Sequence, residues 1–200
     1  MHTNENTEYD FVIIGSGLGG LVSAFILADE GYKVIVLEKN HQIGGLLQVY
    51  SRDKTIFDTG VHYVGGLNEG ENLNQFFKYL GIFDQLKLKK LDEDRFDVIR
   101  FSDGTQFNYA QGNTAFKNEL IRQFPDDSQA IELYCAKITE VCLKFPLYNL
   151  EVSDDGYLHD NSFMKVNAFD YIASITDNKK LQNVLAGSNL LYAGVKEKTP

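Results

Sequence analysis

The chain has 200 residues, enough for one domain or one and a part, and 44% of them are hydrophobic, so a core can be built. Nineteen basic residues against 28 acidic ones give a formal net charge of −9, which argues against a nucleic-acid partner, whose phosphates need a basic footprint. The start, MHTNENTE, lacks the basic and apolar stretches of a secretory signal, and no apolar run reaches the roughly twenty residues that span a bilayer; a soluble, cytoplasmic protein is expected, with peripheral membrane contact left open.

Residues 9–45 carry the strongest pattern. Phe11, Val12, Ile13 and Ile14 form a short apolar run between polar residues, which reads as a fully buried parallel strand. Gly15, Ser16, Gly17, Leu18, Gly19 and Gly20 follow at once and fit G-x-G-x-x-G. Leu21, Ala24, Phe25 and Ala28 then mark one face of a helix, and Gly31 is placed to end it. Residues 33–37 read as a second strand with Glu38 at its end. Each part has a reason: Gly15 for the tight turn, Gly17 so that a pyrophosphate can approach the backbone, Gly20 for close helix–strand packing. The helix start offers N–H groups and a positive dipole end to phosphates. Glu38, 18 residues after Gly20, is spaced to accept from a ribose hydroxyl, and its charge disfavours a 2′-phosphate there. The bland alternative is a glycine-rich turn in an ordinary βαβ unit.

A hairpin with arms 48–50 and 55–57 fits the alternation that follows, and residues 72–80 read as a helix with Leu73, Phe76, Phe77 and Leu80 on one face and Gly81 as its stop. Residues 82–91 carry Lys87, Lys89 and Lys90 between leucines, either solvated lysines on a half-buried segment or a weak membrane-facing patch. Residues 96–109 predict a hairpin with a type I′ turn at Asp103-Gly104. Helices are expected over 115–124, ended by Pro125, and over 129–145, capped from Asp126-Asp127-Ser128 and closed by Pro146. The second of these would bury Ile131, Tyr134, Cys135, Ile138, Val141, Cys142 and Phe145. Cys135 and Cys142, two turns apart, read as buried thiols in a reducing compartment rather than a disulfide, and no His/Cys cluster suggests a metal. Residues 147–162 are irregular, with an Asp154-Asp155-Gly156 turn and an isolated loop histidine, His159. Two further helices are read at 167–175 and 178–192.

Glu38 is followed by the pair Gly44-Gly45, and the run IFDTGVHYVGG lies downstream. Together these resemble the N-terminal portion of the phytoene desaturase, carotenoid isomerase and retinol saturase family of FAD-dependent oxidoreductases, over essentially the whole chain. The resemblance implies an α/β fold: a Rossmann-like FAD-binding βαβ unit (residues 1–66) with an inserted α+β portion of a substrate domain (67–200), an incomplete FAD/NAD(P)-binding fold. It implies FAD as cofactor, held by Gly15, Ser16, Gly17, Leu18, Gly19, Gly20, Glu38, Lys39, Gly44, Gly45, Leu46 and Gly60, with NAD(P)H as a candidate electron donor. Leu46 stands where many relatives carry Arg or Lys, so one positive contact to the cofactor is missing. Gly60 would let the backbone pass the flavin ring. His62 is either a residue near the flavin and substrate channel or a structural histidine; no other side chain is a candidate acid or base.

The implied reaction acts on carbon–carbon double bonds of an apolar polyene, a retinoid or carotenoid, with the flavin carrying the hydride. Two readings remain beside it: a non-catalytic prenyl- or lipid-binding escort on the same fold, and an amine-oxidase-like flavoenzyme. In the resembled family the polypeptide continues further. The expectation is therefore a fragment or a shortened product, with weakened FAD binding, marginal stability or a homo-oligomer that hides an open sheet edge.

Overall fold

Two short β-branched segments, Phe11–Ile14 (β1) and Val34–Leu37 (β2), pair in parallel, with Phe11 opposite Val34 and Ile14 opposite Leu37. The helix Leu18–Asp29 (α1) connects them as the crossover and ends at Gly31, whose φ of +91° suits a residue without Cβ. This is the βαβ unit read from the sequence, here in a computed structural model that describes residues 8–61, 63–150 and 161–200. The side chains of residues 146, 147, 161 and 190 are not described. His62, the 154–156 turn and His159 lie outside the described residues.

The chain divides into two compact units, Met1–Lys87 and Leu88–Pro200. In the first, α1 packs on one face of the β1–β2 pair. Ile13 points toward it, its Cγ2 lying 3.4 Å from where a Cβ on Gly20 would sit. Strand side chains alternate, so Val12 and Ile14 face the other way, and they are 58% and 88% exposed. The expectation of a fully buried strand is thus corrected: the apolar run predicts a strand with two covered faces, and only one face has a cover among the described residues. An antiparallel hairpin follows, Val49–Arg52 (β3) with Thr55–Asp58 (β4), Tyr50 stacked on Phe57 at 5.2 Å. Its two-residue turn, Asp53-Lys54, takes positive φ at both positions without any glycine. The helix Asn72–Tyr79 (α2) presents Leu73, Phe77 and Leu80 half-buried, whereas Phe76 is exposed. Tyr79 meets Phe25 of α1 edge-on at 6.2 Å.

The second unit holds the core. Asp97–Arg100 (β5) and Gln106–Tyr109 (β6) form the expected hairpin, but not with a type I′ turn. Gly104 alone has positive φ, and Asp103 accepts from the Thr105 N–H and hydroxyl, an Asx-type closure that replaces the primed turn. Asn113–Gln123 (α3) lies along β6, where Gln123 donates to the Asn108 carbonyl and accepts its N–H, satisfying an otherwise open strand edge. Phe124 stacks on Phe107 at 4.7 Å. Leu120, Ile131, Leu181 and Val184 are fully buried at the centre, each worth about 1.5–3 kcal/mol.

Ile131 lies on Ser128–Leu143 (α4), whose apolar face is buried only in its first half. Tyr134 donates to the Leu185 carbonyl, while Ile138, Leu143 and Phe145 are exposed. Cys135 and Cys142 are free and half-buried, and burial raises both thiols. The helix ends at Leu143, just ahead of Pro146 as expected, and Pro146 itself opens a further turn, Pro146–Asn149 (α5). It sits at the first helical position, where no N–H is needed. The expected Asp cap on α4 is absent: Asp127 turns its carboxylate to Thr176 Oγ1 (2.6 Å) and Asn178 Nδ2 (2.7 Å). Ala168–Ile175 (α6) and Lys179–Leu185 (α7) are capped by Asn167 and Asn178. The second is shorter than its apolar pattern suggests, because a 3₁₀ turn, Gly187–Tyr192, takes over.

Candidate dinucleotide site

The four glycines where β1 turns into α1 are there for different reasons. Gly15 has φ +98°, a conformation most side chains avoid. At Gly20 a Cβ would lie 2.1 Å from the Gly15 carbonyl oxygen, so close packing demands its absence. Gly17 has neither excuse. Its φ of −68° and ψ of 174° suit any residue, and an added Cβ meets nothing within 4 Å. Gly19 likewise faces open space. A glycine that protein packing does not require, at the start of a helix, keeps room for something that is not protein. No side chain caps α1 at this end, and its first-turn N–H groups have no intrahelical partner, which suits an anion.

Glu38 leaves the end of β2 toward this loop. Its Oε2 accepts from the Ser16 N–H (2.9 Å) and the Ser16 hydroxyl (2.7 Å), and its Oε1 accepts from the Asn40 N–H (2.9 Å). These bonds, the Ser16 hydroxyl foremost, lower the carboxyl from its ordinary 4.5 to about 2. One N–H of the glycine loop is therefore committed to Glu38. Gly44 closes the site from the other side. Its N–H donates to the Ser16 carbonyl (3.0 Å) and approaches the Ser16 hydroxyl (3.3 Å). Gly44 and Gly45 both have positive φ, and a Cβ on Gly45 would come 3.0 Å from Gly17 Cα. The second glycine pair thus lies directly against the first loop. Gln42 and Gln48 pin the connection, Gln42 donating to the Val49 carbonyl and Gln48 to the Gln42 carbonyl.

Of the remaining sequence candidates, Leu18 is the exposed first residue of α1, and Lys39 is exposed beside Glu38. Leu46 is 70% exposed in the 3₁₀ turn Gly45–Leu47. A Cβ on Gly60 would lie 3.1–3.3 Å from Leu46, so the two pack against each other. Asn40 carries no motif signal and was missed, since it acts only through its backbone. Asn74 was missed too. It is buried, donates to the Leu67 carbonyl, and its Oδ1 has no partner among the described residues. No group of His, Cys, Asp and Glu among the described residues could hold a metal, and no helix among them is long and apolar enough to cross a membrane.

Residues 13–80 match the family of NAD(P)-binding Rossmann-like domains. All-trans-retinol 13,14-reductase of Rattus norvegicus is 35% identical over 134 residues, 64% of this chain and 21% of that protein. Prolycopene isomerase 2 of an Oncidium hybrid cultivar is 32% identical over 164 residues, 80% of this chain and 27% of that protein. The chain is retinol saturase- and carotenoid isomerase-like. It spans about a fifth to a quarter of the length of these relatives. A putrescine oxidase redesigned in its cofactor binding superposes with a TM-score of 0.56 at 18% identity, over 89% of this chain and 36% of that one. At that identity the likeness speaks for the fold. The fold of this retinol saturase-like chain is Rossmann-like α/β, and the cradle around Gly17 fits a dinucleotide.

Proposed function

We propose that this chain is the cofactor-holding part of an FAD-dependent oxidoreductase acting on carbon–carbon double bonds of an apolar polyene. The observation that carries the proposal is Gly17, a helix-start glycine that neither backbone angle nor protein packing requires, set between Glu38 and Gly44-Gly45. The residues present fit the cofactor in parts. The α1 N-terminus and Gly17 would hold the pyrophosphate, Glu38 would hold the adenosine ribose, and Gly45, close against Gly17, would leave room for the cofactor beside them. Bound FAD would supply hydride transfer to or from the substrate. The protein's share is to bind, orient and exclude water. The relatives act on a retinol and on prolycopene by name, which makes a long apolar polyene the substrate class proposed for the whole protein, with a nicotinamide as electron donor. Glu38 argues that this donor, if phosphorylated at the 2′ position, does not use the Gly15–Glu38 site.

The test is the visible spectrum of the purified chain after incubation with FAD and gel filtration. Two retained flavin bands, bleached anaerobically by a reduced nicotinamide dinucleotide, support the oxidoreductase. Retained flavin that no nicotinamide reduces, with polyene bound but unchanged, would favour the lipid escort. Turnover of an amine in place of a polyene would favour the amine-oxidase reading.

A further inference from the structure

Ser16 occupies the middle position of G-x-G, where the motif specifies nothing. Yet it is 1% exposed, one of the few fully buried side chains of the described residues and the only fully buried one in the first unit. Four of its contacts converge. Its N–H and hydroxyl both donate to Glu38 Oε2, its carbonyl accepts from Gly44, and its hydroxyl oxygen faces the same Gly44 N–H. An ionised carboxylate offers about four lone-pair positions over two oxygens. Ser16 takes both on Oε2, and Asn40 takes one on Oε1.

We infer that Ser16 is a positioning residue for the adenosine ribose: its two donors occupy Glu38 Oε2 and leave Oε1 as the oxygen presented to the ribose. The Gly44 N–H is held chiefly by the Ser16 carbonyl (3.0 Å), a backbone bond that S16A leaves in place, so the hydroxyl acts mainly on Glu38. This rests on the dinucleotide reading above and goes beyond it. It assigns a role to a residue whose side chain acts on the cofactor through Glu38.

The experiment measures dissociation constants of the 200-residue chain for FAD, ADP and FMN, in the wild type and in S16A, S16C, S16T, E38Q and the double variant S16A/E38Q. FMN has no adenosine ribose and reports on the rest of the site. S16A is expected to weaken FAD and ADP about tenfold, the scale of one hydrogen bond to a charged group, and to leave FMN unchanged. S16T, which keeps the hydroxyl, restores ADP binding. Because Ser16 acts through Glu38, S16A/E38Q binds ADP no more weakly than E38Q alone. The fall of ADP affinity on acidification also moves to higher pH in S16A. Should S16A fail to fold, S16C keeps the volume with a weak donor and gives the same pattern. Unchanged ADP binding in both S16A and S16C, full additivity with E38Q, or an equal loss of FMN overturns the inference while leaving the dinucleotide reading intact. A wild-type chain that binds neither FAD nor ADP overturns that reading, and the inference with it.

Discussion

Gly17 and Gly20 sit three residues apart in one motif, and their substitutions should separate ligand binding from folding. Gly17→Ala places a methyl in open space on a backbone any residue adopts. It should therefore leave the melting temperature within about 2 °C of wild type, since surface changes of this kind cost at most about 0.5 kcal/mol, while lowering FAD affinity at least about tenfold. Gly20→Ala drives its methyl into the Gly15 carbonyl and should cost about 1–3 kcal/mol of stability, read by urea denaturation. Glu38 adds a pH signature. Its folded-state value is depressed to about 2 by Ser16 and Asn40, so its bonds support the first unit fully above pH 4.5. That support drains away as pH falls from there toward 2. The carboxyl carbon-13 shift of Glu38 should titrate near 2, and a midpoint near 4.5 would mean that the Ser16 clamp does not persist in solution. The motif made these residues legible because each glycine answers a local demand of backbone, packing or ligand. Ser16 was legible only as a member of the loop. Its hydroxyl's partners lie 22 and 28 residues away, a distance at which a single sequence carries no signal.

Elements with local period were read well, and their ends less so. The 96–109 hairpin and the helices α3, α4 and α6 lie where alternation and 3.6-residue spacing put them. What periodicity does not report is which face finds a partner. α4 buries Ile131 and leaves Ile138, seven residues on along the same apolar stripe, 40% exposed. Asp127 shows the same limit. Its position before a helix predicts a cap, yet a tertiary partner outcompetes the local N–H, because Thr176 is 8% exposed and needs an acceptor. Asp127 thereby ties the start of α4 to the segment between α6 and α7. Asp127→Ala should leave the Thr176 hydroxyl and the Asn178 amide without that acceptor, at a cost of about 1–3 kcal/mol in thermal or urea unfolding. If Asp127 served α4 as an ordinary cap instead, Asp127→Asn and Asp127→Ser would both restore stability. The tertiary role expects Asp127→Ser to stay destabilised, since serine is too short to meet both partners.

At the scale of the molecule the two units are unequal. The second has a centre of fully buried Leu120, Ile131, Leu181 and Val184. In the first, the buried side chains among the described residues are polar, Ser16 and Asn74, while Val12, Ile14, Leu46 and Ile56 are more than half exposed. A unit with so little buried apolar surface opens at low free-energy cost, since local stability follows contact density. Its order then depends on whatever binds the folded form and not the open one. A ligand at 100 times its dissociation constant contributes about 2.7 kcal/mol, a large share of the 5–15 kcal/mol that holds a typical domain. Hydrogen exchange on the whole chain, with and without saturating FAD, should show this asymmetry. Amides of β1, α1 and the Gly44–Gly45 turn should slow by up to about a hundredfold on adding FAD, and those of α3, α4 and α7 should not change. The reason is that the cofactor adds to the first unit the contacts its own side chains lack, whereas the second unit already closes on its own core. Equal slowing in both units would mean that they open as one cooperative body, and no slowing in either would mean that Gly17 keeps its open space for something other than this dinucleotide.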